Sequence, residues 1–190
     1  MINVGIILGS TRPGRVSEPV AAWVLERAKT FESWTPELVD LRDWPLPFFN
    51  EKASVMALKG DYSVDLAKDW SKKIAGFDAF IIVTPEYNHG YPAVLKNALD
   101  YLYPEWNNKA VSFVSYGGVG GSRAVEQLRL VVSELQMHDT REAVHIMNVW
   151  SALSEQGFKA EEVYEKKLSG LFAQLDWWAK ALKTARETTT

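Results

Sequence analysis

Residues 79–99 read AFIIVTPEYNHGYPAVLKNAL. The first part, Ala79 to Thr84, is a continuous apolar run with little alternation, the pattern of a strand covered on both faces. Pro85 stiffens the exit from it. Pro92 then opens a helix that turns Leu95, Ala98, Leu99 and Leu102 inward. Working outward, Ile2 to Leu8 and Ala110 to Tyr116 are buried strands of the same kind. Weaker strands fit Glu37 to Leu41 and Glu142 to Met147. Helical spacing separates them. Ser17 is a cap for a helix whose second residue is Pro19 and which buries Val20, Val24 and Phe31. Leu66, Trp70, Ile74 and Phe77 mark another, and Val125, Leu128, Val132 and Leu135 a further one. Leu168, Leu171, Leu175, Trp178 and Leu182 mark the last, before a frayed tail at 187–190. Strand and helix alternate about five times, which predicts an α/β fold with a doubly wound parallel sheet.

The chain has 190 residues, 47% of them hydrophobic, which fits one domain over 1–190 with a full core. A net charge of -3 offers no field for nucleic acid or an anionic membrane surface. No apolar run approaches the ~20 residues of a membrane span. There is no cysteine, so disulfides, thiolate metal sites and a cysteine nucleophile are excluded, and no metal site is expected. Met1 leads straight into the first strand without a basic region or cleavage site, so no targeting segment is expected and a cytoplasmic location is compatible. Eight tryptophans suit core filling, a planar cofactor or a subunit contact. Asp43 to Asp61 is the one long irregular stretch. It carries Trp44, Leu46, Phe48 and Phe49, whose exposure would be costly, so it is expected to cover a site or meet another subunit.

Ligands of open α/β sheets bind beyond the carboxyl ends of the strands. The first strand is followed by Gly9-Ser10-Thr11-Arg12-Pro13-Gly14-Arg15-Val16-Ser17. Glycines turn backbone N–H groups toward a ligand, and Ser10, Thr11 and Ser17 add hydroxyls. Arg12 and Arg15 add forks that match phosphate oxygens, and a helix N-terminus follows. The bland alternative is a turn with two solvated arginines. No Gly-Lys-Ser/Thr ending makes this a P-loop, and Gly9 with Gly14 does not supply the dinucleotide fingerprint; a mononucleotide fits better.

The second long strand is followed by Thr84-Pro85-Glu86-Tyr87-Asn88-His89-Gly90-Tyr91-Pro92. Tyr87 suits an aromatic ring, and the main chain suits the polar edge of a heterocycle. Glu86 reads as orienting the loop. His89 invites a general-acid role, but a lone loop histidine reads first as a polar contact. The third is followed by Ser115-Tyr116-Gly117-Gly118-Val119-Gly120-Gly121-Ser122-Arg123, where glycines admit close approach of main chain to a flat ligand. A flexible loop without a ligand is the alternative.

Three motifs in this order resemble the NADPH-dependent FMN reductase family, the flavodoxin-like group with quinone, azo-dye and chromate reductases. They are the loop at Gly9 to Arg15, Pro85-Glu86-Tyr87-Asn88 with Pro92-x-x-Leu95-Lys96-Asn97-Ala98-Leu99-Asp100, and Gly117-Gly118-x-Gly120-Gly121. The resemblance covers roughly the first 125 residues. It implies a five-stranded sheet of order 2-1-3-4-5 with FMN at its carboxyl edge. Ser10, Arg12, Arg15 and Ser17 would hold the phosphate. Pro85, Glu86, Tyr87 and Asn88 would border the isoalloxazine, and Ser115, Gly117, Gly118 and Gly121 its other side and the ribityl chain. Relatives commonly have other residues where Pro13 and Gly14 stand. The implied activity is an NAD(P)H oxidoreductase of ping-pong type, with NADPH or NADH as donor and a small acceptor: a quinone, an azo compound, a metal ion or free flavin. The cofactor carries the chemistry, and no catalytic side chain is required. A homodimer or homotetramer is implied as well. The alternatives are a flavodoxin-type electron carrier and an FMN-binding redox-sensing module.

Overall fold

The computed structural model describes residues 1–155 and 157–188. In chain order the elements are β1 (Ile2–Leu8), α1 (Ser17–Lys29), β2 (Trp34–Asp40), α2 (Val55–Leu58), α3 (Asp65–Ala75), β3 (Ala79–Pro85), α4 (Ala93–Asp100), β4 (Ala110–Gly117), α5 (Ser122–Glu134), β5 (His138–Asp139), β6 (Val144–Met147), β7 (Leu153–Ser154), β8 (Gly157–Phe158) and α6 (Glu162–Thr188). The main sheet has the order β2-β1-β3-β4-β5, with β6 also paired to β4, and these pairings are all parallel. This is the expected doubly wound order.

Successive side chains of a strand face opposite ways, and both faces of this sheet are covered. Val4, Ile6, Leu8, Ile81 and Val83 pack beneath α1 and α6, with Val20, Val24, Leu171 and Leu175. Ile7, Phe80, Ile82 and Phe113 pack on the other face against Trp70, Ile74, Leu99 and Leu128 of α3, α4 and α5. Burying one such side chain contributes roughly 1.5–3 kcal/mol. This is why the three long strands read as unbroken apolar runs. Core filling accounts for Trp23, Trp34, Trp70 and Trp106, all buried. Each indole N–H is satisfied, those of Trp70 and Trp106 by the Ala98 and Leu99 carbonyls.

The outer edge of β4 differs from the expected single strand over Glu142 to Met147. It is shared by β5, paired with Ala110 and Val111, and β6, paired with Val114 to Gly117. Between them the buried Thr140 hydroxyl is satisfied by Ser112, and the chain bulges away. Arg129 of α5 covers the break by donating to Asp139 and to the Thr140 and Arg141 carbonyls. The second strand begins at Trp34, earlier than expected, because Trp34 stacks tilted on Phe172 of α6 at 4.9 Å. Ser17 is the first residue of α1, not its cap; Val16 holds the cap position, without a side-chain bond. Of the tail at 187–190, residues 187 and 188 continue α6, and 189–190 lie outside the described residues.

The irregular stretch from Asp43 is anchored, not loose. Trp44 meets Trp70 at 5.0 Å and Phe49 meets Tyr101 edge-on at 5.4 Å. Asn97 of α4 accepts from the Phe49 N–H and donates to the Leu46 and Pro47 carbonyls. Phe48 remains 82% exposed.

Candidate functional site

Because β1, β3 and β4 are adjacent and parallel, the three loops that follow them lie on one edge of the sheet. Side chains also tie them together. The Ser10 hydroxyl meets the Tyr87 hydroxyl at 2.7 Å, joining the first loop to the second. Glu86 accepts from Arg123 Nε at 2.6 Å, joining the second loop to the start of α5.

In the first loop the two arginines part ways. Arg12 is exposed and its guanidinium meets no described group. Arg15 is buried, and here the arrangement departs from the expected one. It donates to both carboxylate oxygens of Asp40 and to the Ser10 carbonyl at 2.8 Å, so only Nε lacks a hydrogen bond. Burial would raise the Asp40 carboxyl, but bonds from Arg15 and the Arg42 N–H hold it below its usual range. Arg15 therefore fixes the loop to the end of β2. From outside, Arg42 donates to the Thr11 and Arg12 carbonyls at 3.2 and 2.7 Å.

What the loop leaves open suits a phosphate. Among the described residues, the N–H groups of Thr11, Gly14 and Val16 have no hydrogen-bond partner. The Ser17 hydroxyl is fully buried beside the Tyr116 phenol and makes no hydrogen bond of normal geometry. Orphaned buried polar groups are rare, and the helix N-terminus favours an anion. Burial pushes the Tyr116 phenol up to about 12, so it stays a neutral donor there.

In the second loop Pro85 ends β3 and is buried. Tyr87 and Gly90 pair across a two-residue turn, with bonds of 2.8 and 3.1 Å. Its central residues, Asn88 and His89, both have positive φ, 49° and 72°. That is the type I′ pattern, which Asn tolerates well. The turn pushes Tyr87 and Asn88 outward at the sheet edge. Glu86 is nearly buried. Burial alone would raise its carboxyl, but Arg123 and the N–H groups opening α5 hold it low. It thus orients the loop. The His89 side chain is exposed and meets no described group; its carbonyl accepts from Gln127 at 2.7 Å.

In the third loop Gly121 has φ +71°, and a Cβ there would lie 2.8 Å from that of Ser115. No other residue fits without moving the backbone. Gly118 is exposed, and among the described residues the N–H groups of Gly118, Val119 and Gly121 have no hydrogen-bond partner. Ser115 differs from expectation. Its hydroxyl is buried and engaged with the Gly120 carbonyl and His145, both at 2.7 Å, so it faces the loop from within. Met147 and Trp150, 48% and 60% exposed, supply apolar surface just after this edge.

Ser10, Arg12, Ser17, Pro85, Tyr87, Asn88, Gly117, Gly118 and Gly121 are thus gathered at one edge, while Arg15, Glu86 and Ser115 support it. Sequence reading missed Arg42, Asn97, Tyr116 and His145 as contributors. Asn97 lies within a quoted motif, and Tyr116 borders the glycines. Arg42 and His145 carry no local signal; only the pairing of distant strands brings them in. Among the described residues no cluster of three acidic or histidine ligands could hold a metal. None of the described helices is long and apolar enough to cross a membrane.

The donors match FMN: free N–H groups, a hydroxyl and one uncommitted arginine for a phosphate, then a tyrosine and glycine main chain for a flat ring. Comparison with known proteins points the same way. The family model for NADPH-dependent FMN reductase matches residues 2–151. An NAD(P)H-dependent FMN reductase of Schizosaccharomyces pombe is 46% identical over 132 residues, which span 70% of this chain and 66% of that protein. An NAD(P)H:quinone oxidoreductase of Solanum tuberosum is 29% identical over 191 residues, 96% of this chain and 95% of that one. The solved structure of FerB, a flavoenzyme NAD(P)H:(acceptor) oxidoreductase from Paracoccus denitrificans, superposes with a TM-score of 0.73 at 22% identity, covering 97% of this chain and 98% of that one, and so shares the fold. The chain belongs to the NADPH-dependent FMN reductase family, oxidoreductases that use FMN and NAD(P)H.

Proposed function

We propose that residues 1–190 act as one FMN-binding domain, which takes electrons from NAD(P)H and passes them to a small acceptor in a ping-pong sequence. The acceptor is a quinone, an azo compound, a metal ion or free flavin. The observation that carries this reading is the set of unsatisfied donors in the first loop, joined through Ser10 and Tyr87 to a second loop at the same edge. FMN, when bound, supplies reversible two-electron chemistry. The chain does the rest. Arg12, the Ser17 hydroxyl and the N–H groups of Thr11, Gly14 and Val16 bind phosphate. Arg15 and Arg42 keep that loop in shape before any ligand arrives, so little ordering remains to be done on binding. Tyr87 lies beside the ring, its hydroxyl directed by Ser10. The N–H groups of Gly118, Val119 and Gly121 offer fixed partial positive charge where negative charge gathers in the reduced state. Met147 and Trp150 limit water beside the ring.

A homodimer or homotetramer fits the exposed Phe48 on its anchored segment, since such side chains favour a subunit contact. A cytoplasmic setting accords with the cysteine-free chain. The test is steady-state oxidation of NADPH and NADH by the flavin-loaded protein with a quinone acceptor. Parallel lines in double-reciprocal plots are expected. Absence of turnover from a protein that binds FMN tightly would replace the enzyme with an electron carrier.

A further inference from the structure

The parallel register of β4 and β6 sets His145 beside Ser115. The Ser115 hydroxyl, fully buried, donates to the Gly120 carbonyl at 2.7 Å. A hydroxyl has one proton, and the carbonyl only accepts. Ser115 Oγ, its proton spent, therefore accepts from His145 Nδ1–H at 2.7 Å. Burial, Arg129 and Lys167 lower the His145 pKa against a hydrogen bond from the ring to the Gly120 carbonyl and the pull of Glu126, so the neutral ring is favoured, with its proton on Nδ1 facing Ser115 and that carbonyl.

This short chain of bonds ends on a particular peptide. The Gly120 carbonyl and the Gly121 N–H belong to one planar trans unit and point in opposite directions. Fixing the carbonyl toward Ser115 aims the N–H away from it. That N–H is one of the loop's unpaired donors. Both residues are glycines with positive φ, 69° and 71°. Glycines turn over cheaply, so the peptide's direction rests on the bonds that Ser115 and His145 make to the Gly120 carbonyl. Packing holds the loop's position but not this direction: a Cβ on Gly120 would lie 3.0 Å from that of His145, and the Gly117 carbonyl accepts from the Asn148 N–H at 3.1 Å.

We infer that His145 is a positioning residue, which together with Ser115 holds the Gly120 carbonyl and so aims the Gly121 N–H at the flavin. The inference rests on the reading of the Gly117–Gly121 loop as the flavin's border. It is tested by titrating FMN into flavin-free wild type, His145→Leu, His145→Asn and Ser115→Ala, with melting temperatures and bound-flavin spectra recorded for each. The Asn side-chain amide places an N–H close to the His Nδ1 position. The expected result is a Kd raised about fivefold or more in His145→Leu and Ser115→Ala, with a shifted long-wavelength flavin band, and a Kd within about twofold of wild type in His145→Asn. Wild-type affinity and spectrum in His145→Leu would overturn the inference. So would a loss in His145→Asn equal to that in His145→Leu, or losses that simply follow melting temperature. Failure of wild type itself to bind FMN would overturn the reading of the loop instead.

Discussion

Arg15 is held by Asp40 and the Ser10 carbonyl, while the Arg12 guanidinium is exposed and makes no hydrogen bond or ion pair among the described residues. Composition makes the two look alike; burial separates them. Arg15→Ala strands the Asp40 carboxylate, which is mostly buried, and is expected to cost about 2–3 kcal/mol by urea denaturation, with weaker FMN binding as a consequence. Arg12→Ala is expected to leave the denaturation curve in place and raise the FMN Kd about tenfold, the loss of one charge-assisted bond. Equal stability losses in the two variants would contradict the division of labour. The loop's donors were legible in the sequence, because glycine, hydroxyl and arginine are recognisable types, and their phosphate role is part of the proposed function. Which arginine is tied into the fold was not, because Asp40 meets Arg15 only when β2 lies beside β1.

At the scale of elements, the three long strands were read from sequence almost to their ends, since strands covered on both faces are mostly apolar, with only scattered polar residues such as Asn3, Ser112 and Ser115. The edge strands were harder. The break between β5 and β6 depends on Thr140 finding Ser112 and on Arg129 reaching across from α5, contacts no local pattern encodes. The Trp44–Phe49 segment behaves likewise: its aromatic residues were visible, but the bonds that hold it come from Asn97. Asn97→Ala is expected to speed tryptic cleavage at Lys52 and Lys59 severalfold while the whole protein loses only about 1–2 kcal/mol. Unchanged digestion would show that the aromatic contacts alone hold the segment. At the opposite end of the sheet, Asp78 accepts from the Asn3 N–H, Lys183 and Arg186, pinning the end of α6. Burial would raise its carboxyl, but these bonds hold it low. A carboxyl lowered in the folded state adds stability that is complete above its unfolded pKa of about 3.9 and is lost as pH falls through the folded value. Asp78→Asn should therefore lower stability at pH 7 and flatten its decline below about pH 4; a decline as steep as in wild type would remove Asp78 from the acid response.

For the whole molecule, parallel strands with helices on both faces leave one edge where loop ends, helix N-termini and glycine main chain come together. Sequence order predicted that meeting; the contacts Ser10–Tyr87 and Glu86–Arg123 give it form. On the proposed function, this edge holds FMN by its phosphate. Calorimetric titration of the flavin-free protein with FMN and with riboflavin, which differ only in that group, tests it most directly. One-to-one binding of FMN at micromolar Kd or tighter is predicted, with riboflavin at least about a hundredfold weaker, since several charge-assisted bonds are lost together. Equal affinity for the two flavins, or no uptake of FMN, would contradict it.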